Sequence, residues 1–298
     1  MSETILNYIK EKRPNISNSS LKTYESILRN LYDKMKGEEF KTKGYNMENF
    51  SKYPTEVLKF LKDLPPNKRK TILSALVVIT DNKEYRELML DDIKEYNKEE
   101  AKQTKTDNQK TNWVEKEELN EMIKPLRKTA NLLYKKDKLN PSDYQDIQNY
   151  IILVLYGGEY IPPRRSKDYV DFKIKNIDKN KDNYMDKNSF IFNSYKTAKT
   201  YGKQDVKIPN ELKKIINKWI KVNPTEYLLF DKSFNKLSNV KLNQRLNKMF
   251  GKKSGVNQMR KTFLSSKYGD LIDMKKDLDK TMNDMGSSRN QENIYIKK

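Results

Sequence analysis

The chain has 298 residues, 61 lysines and arginines against 41 acids, a formal charge of +20, and neither cysteine nor histidine. That length suits two modest domains, and the missing residue types exclude a disulfide framework, thiolate metal sites and the common zinc and iron ligand sets. No Asp/Glu cluster has metal-ligand spacing, no apolar run reaches the ~18 residues of a membrane span, and the N-terminus lacks an apolar signal core. The expectation is an intracellular protein with no metal, no cofactor and no membrane.

The first hundred residues read as helices. In 17–35 Leu21, Tyr24, Ile27, Leu28, Leu31, Tyr32 and Met35 recur at three- and four-residue steps behind a serine-rich cap. Segment 53–64 stops at Pro65-Pro66, and 67–80 carries Ile72, Leu73, Leu76, Val77 and Ile79. With 3–11 and 84–96 these make a helical bundle spanning 1–97. Residues 98–112 offer one alanine and little else to bury, so a linker is expected there. The domain that follows, 113–298, mixes types. Helical patterns at 115–134 and 141–157 lead to a Pro-Pro turn. Strand-like runs follow at 171–178, 188–197 and 203–209, and helices return at 210–221, 236–250, 256–268, 270–283 and 288–296. The expected class is mainly α with a small three-stranded antiparallel sheet.

A +20 charge exerts a field that favours a polyanion, although part of the lysine load is the imprint of an AT-rich coding sequence. Arginine is scarce, ten against fifty-one lysines, so its positions suggest a geometric demand. A guanidinium offers fixed parallel donors to two phosphate oxygens, whereas an ammonium is a point charge. Arg164 and Arg165 follow Pro162-Pro163, and Arg260 lies in the 256–268 helix, one position from Lys261 and three from Asn257. Two such arginines on one phosphate would stabilise a pentacoordinate transition state. Lys196, Lys199 and Lys203 share the hairpin around Gly202, from which a lysine can protonate a leaving oxygen or hold DNA backbone. Ser287 precedes the last predicted helix, and Tyr295 sits three residues from the end.

The ordered set resembles the tyrosine recombinase, or phage-type integrase, family. Arg165 with Asp168 three residues on, hairpin Lys196, Asn257-x-x-Arg260 with Lys261, the Met285-Gly286-Ser287-Ser288 segment and Tyr295 follow the family's order Arg, Lys, His-x-x-Arg, His, Tyr. Asn257 and Ser287 stand where many members have histidine; they can hydrogen-bond a phosphate oxygen but cannot act as a base near neutral pH. Arg164 is an alternative to Arg165, Lys199 to Lys196, and Gly286 to Ser287.

The resemblance implies an N-terminal core-binding domain, a catalytic domain and a site-specific recombinase that needs no metal or ATP. In that scheme Tyr295 forms a 3′-phosphotyrosyl link, and Arg165 and Arg260 hold the non-bridging oxygens. Lys196 protonates the 5′-oxygen, Asn257 and Ser287 assist, and Arg164, Lys199, Lys203 and Lys261 contact DNA. It also implies a homotetramer on double-stranded DNA and, with the AT-rich composition, a viral or mobile-element origin. A type IB topoisomerase-like enzyme, a recombinase-derived DNA binder without catalysis and a lysine-rich packaging protein are the rival readings.

Overall fold

A computed structural model describes residues 2–41 and 44–287 of the chain. The chain divides into two units, Met1–Lys105 and Thr106–Lys298. The expected 288–296 helix and Tyr295 lie outside the described residues.

The first unit is helical: α1 (Ser2–Lys12), α2 (Asn18–Lys34), α3 (Asn49–Lys52), α4 (Pro54–Leu61), α5 (Pro66–Thr80) and α6 (Lys83–Ala101), with a 3₁₀ turn at Glu38–Phe40. Helix α2 starts where its serines predict, since the Ser17 hydroxyl accepts from the Ser20 N–H at 3.1 Å. Its apolar stripe buries Leu21, Leu28 and Leu31 against Ile5, Phe50, Leu73 and Leu76. A charged pair sits at the edge of this core. Arg69 grips Asp92 through Nε at 2.9 Å and Nη2 at 2.6 Å, which satisfies a carboxylate that is 1% exposed.

The stretch expected to be a linker is mostly helical. Helix α6 runs on to Ala101, and α7 (Asp107–Asn112) occupies its second half. Local bonds replace burial here: Thr106 and Gln109 form a capping box, and Lys110 pairs with Asp107 one turn away at 3.0 Å.

The second unit continues with α8 (Lys116–Leu133), α9 (Pro141–Tyr156), α10 (Ser166–Val170), β1 (Phe172–Lys173), β2 (Asn183–Asp186), β3 (Ser189–Phe192), α11 (Ala198–Tyr201) and β4 (Gln204–Lys207). After these come α12 (Asn210–Val222), α13 (Asn239–Phe250), α14 (Val256–Tyr268) and α15 (Asp270–Asp284). Helix α9 is the core element. Its residues from Tyr150 to Tyr156 are all buried, so it reads as a continuous apolar run rather than a stripe.

The structure corrects the expected sheet, which has four strands and is mixed. The order is β1-β2-β3-β4, with β1 parallel to β2 and the other two pairs antiparallel. Strand β2 was hidden by its surroundings, because only Tyr184 and Met185 interrupt a run of Asn, Asp and Lys from 178 to 188. It turns directly into β3 through Lys187, at φ 48°, and Asn188. Beyond Phe192 the chain leaves the sheet, so the expected 188–197 strand is cut short. The segment expected as a plain turn before β4 contains α11, which Gly202 ends at φ 66°.

Candidate active site

Two segments far apart in sequence are brought together by one close approach. Gly158, at φ 75°, follows α9, and a Cβ added there would lie 2.3 Å from the Phe263 ring. The missing side chain lets α14 pack against the corner that leads into Pro162-Pro163-Arg164-Arg165. Helix α14 is fixed in rotation by buried Val256, Met259 and Thr262, whose hydroxyl donates to Val114 O at 2.7 Å. Arg260, half-buried, then lines the same cleft as Arg164, Arg165 and Asp168. The cleft holds about 420 Å³ and is completed by Tyr195, Thr197, Tyr201 and Gln204 from the loop after β3 and from β4.

The three arginines are not equivalent. Arg164 donates from Nε to Asp168 Oδ2 at 2.8 Å, and its guanidinium lies over the Phe192 ring, 3.9 Å from the centroid. Among the described residues Arg165 and Arg260 form no ion pair or hydrogen bond through their side chains, so their donors are available to a ligand. The sequence spacing associated Arg165 with Asp168; the structure bonds Asp168 to Arg164 instead.

Asp168 carries a tension. Burial raises its pKa, opposed first by Arg164 and then by Arg165 and Arg260, and its Oδ1 is buried with no hydrogen-bond partner. A carboxylate whose pKa is raised by folding adds most stability below its ordinary value, and that contribution is lost as pH climbs through the raised one. Asp168→Asn keeps an acceptor for Arg164 Nε and removes the buried charge. Its melting temperature at neutral pH is therefore expected to match or exceed that of the parent, with the advantage shrinking as the pH is lowered through the acidic range. Thermal unfolding against pH checks this; a drop of several degrees at neutral pH would show that the ion pair outweighs desolvation.

Asn183 is a contributor that sequence reasoning missed. Fully buried in β2, it donates to Asp168 O at 3.0 Å and Ser194 O at 2.8 Å, and accepts from the N–H groups of Asn193 and Ser194. One amide thus ties the helix after Arg165 to the loop that carries the lysines. The Tyr195 hydroxyl closes that loop by donating to Gly202 O at 2.7 Å. Lys196, Lys199 and Lys203 are all exposed on it, and their neighbours Thr197 and Tyr201, rather than the lysines, line the cleft.

The remaining predicted residues divide. Asn257 and Lys261 share an exposed face of α14 and line an adjacent cleft of about 510 Å³ with Ser166, while Arg260 serves the arginine cleft. At the end of α15, Gly286 takes φ 69°, and the Ser287 N–H donates to Met282 O at 2.8 Å, a left-handed helix stop. Gly286 therefore has a backbone task, and half-buried Ser287 is the position there that supplies a side chain. No group of three or more His, Cys, Asp or Glu suited to a metal ion is found among the described residues.

No protein-family model matches the chain, and no curated protein matches it. Two solved structures align with it over most of its length. XerA recombinase is 13% identical, with 89% of this chain and 82% of that chain covered and a TM-score of 0.34. XerH site-specific recombinase, solved in a pre-cleavage complex with its difH substrate, is 12% identical, with 89% and 83% covered and a TM-score of 0.40. Both neighbours are recombinases. At this distance the alignments transfer no residue roles.

Proposed function

We propose that the chain is a site-specific DNA recombinase of the tyrosine recombinase type, acting as a homotetramer on duplex DNA from a virus or mobile element, inside the cell. The observation that carries this reading is the convergence of Arg165 and Arg260, neither in a contacting ion pair among the described residues, in one cleft beside a lysine-bearing loop. Two guanidiniums whose donors are unoccupied among the described residues suit the non-bridging oxygens of a phosphodiester.

The Tyr295 oxygen attacks phosphorus, the bond to the 5′-oxygen breaks, and Lys196 gives that oxygen a proton. The 3′-phosphotyrosyl bond conserves the energy of the broken ester, so rejoining to another strand needs neither metal nor ATP. Asn257 and Ser287 serve by hydrogen bonding, and the phenolic proton passes to solvent, since neither can take it near neutral pH.

The test is covalent trapping. Nicked suicide duplexes carrying the element's end sequences, with a randomised pool beside them, should yield an SDS-resistant adduct whose DNA-bearing peptide contains Tyr295. A protein that binds these duplexes and gives no adduct on any of them is not this enzyme. Relaxation of plasmids without a specific site would identify a topoisomerase-like activity instead.

Lys196→Ala is expected to slow cleavage about a hundredfold. A bridging sulfur at the 5′ position, a better leaving group, should restore most of that rate. Single-turnover cleavage of the two substrates checks the assignment; rescue of Lys199→Ala rather than Lys196→Ala would move the general acid to Lys199.

A further inference from the structure

Away from the arginine cleft, the guanidinium of Arg245 lacks a contacting counter-ion among the described residues. Arg245 on α13 faces the N-terminal half of α9 across a cleft of about 610 Å³. Its Nη2 donates to Gln145 Oε1, while Nη1 is buried and makes no hydrogen bond. The nearest carboxylates, Asp146 and Asp231, act on it only through space. Asp231 is already occupied by Lys241 at 2.6 Å and by the N–H groups of Ser233 and Asn235. Burial outweighs both acids and depresses Arg245 to about 10. A half-buried guanidinium with one nitrogen shielded and unbonded, and no contacting counter-ion, carries a standing cost unless an anion completes it. The half-buried Arg164, by contrast, has its carboxylate.

Lys232 and Lys248 line the same cleft against the single acid Asp146, which leaves a positive balance. Ser142 and Asn149 add polar donors, and Pro141 and Met249 an apolar wall. Following α9 from Gln145 to its end at Tyr156, at ~1.5 Å per residue, separates this site from the arginine cleft by roughly 17 Å of helix.

We propose that this cleft binds a phosphate-bearing ligand of nucleotide size, with Arg245 as the central donor and Lys232 and Lys248 at the rim. The phosphate belongs either to a free nucleotide or to a nucleotide within a DNA strand. The volume fits a nucleoside phosphate rather than a bare anion, and the mixed lining suits a charged group joined to an organic body.

Calorimetric titration and thermal unfolding of the full chain with AMP, inorganic phosphate, adenosine and an unrelated duplex, at matched ionic strength, test this. Saturable AMP binding, absent with adenosine and weakened about tenfold or more in Arg245→Gln, identifies a free-nucleotide site. Duplex affinity weakened by the same variant without any AMP response identifies a DNA-backbone site. Lys248→Gln, at an exposed position, should weaken whichever ligand binds by about threefold at an unchanged melting temperature, and so keeps the test valid if Arg245→Gln fails to fold. No response to phosphate-bearing ligands that depends on Arg245 or Lys248 overturns the site.

Discussion

Tyr295→Phe is expected to abolish the covalent DNA adduct while leaving duplex affinity within about twofold, because it deletes one oxygen and keeps the ring. The chain has nineteen tyrosines, so the prediction has weight only against rivals. Tyr156 and Tyr169 are fully buried and burial raises both phenols, and Tyr195, which lines the cleft, is buried with its hydroxyl bonded to Gly202 O, which removes all three as nucleophiles. Tyr201 is the serious competitor. It is 69% exposed and lines the cleft with Arg165 and Arg260. Tyr201→Phe should therefore keep the adduct, and the two variants together decide the nucleophile by SDS gel and peptide mapping. If Tyr295→Phe still forms the adduct and Tyr201→Phe does not, the nucleophile is Tyr201, and the resemblance at the C-terminus is coincidental.

Helical periodicity was legible because each helix writes its buried face at steps of three and four, as Leu21, Leu28 and Leu31 do. The sheet was less so. Four-residue strands such as Asn183–Asp186 have too few apolar positions to register. Candidate residues could be picked out because arginine is rare against lysine, but their division of labour could not. Neighbours in sequence, Arg164 and Arg165 differ in the fold because Asp168 and Phe192 occupy one and leave the other open. Asn183 gave no signal at all, since a buried asparagine that organises backbone groups looks in sequence like any loop asparagine. The division between the units falls inside the 98–112 stretch, but its helices went unseen for the opposite reason: α7 is held by caps and local pairs, which leave no mark in apolar patterning.

The same division predicts how the arginines fail. Arg260→Ala is expected to reduce strand cleavage about a thousandfold, with the loss in the chemical step rather than in DNA affinity. Arg260 contributes no ion pair among the described residues, and α14 is anchored by Val256, Met259 and Thr262, so the melting temperature should barely move. Arg260→Lys should recover little of the rate, because one ammonium cannot serve two phosphate oxygens in the guanidinium's geometry. Arg164→Ala should behave in the reverse order. It strips Asp168 of its bonded cation and uncovers Phe192, so thermal stability falls first and cleavage falls with it. Single-turnover rates measured beside unfolding curves separate the two patterns. Should Arg260→Ala lose stability in proportion to its activity, or cleave at the parent rate, Arg260 does not hold the scissile phosphate and the cleft is a structural junction rather than an active site.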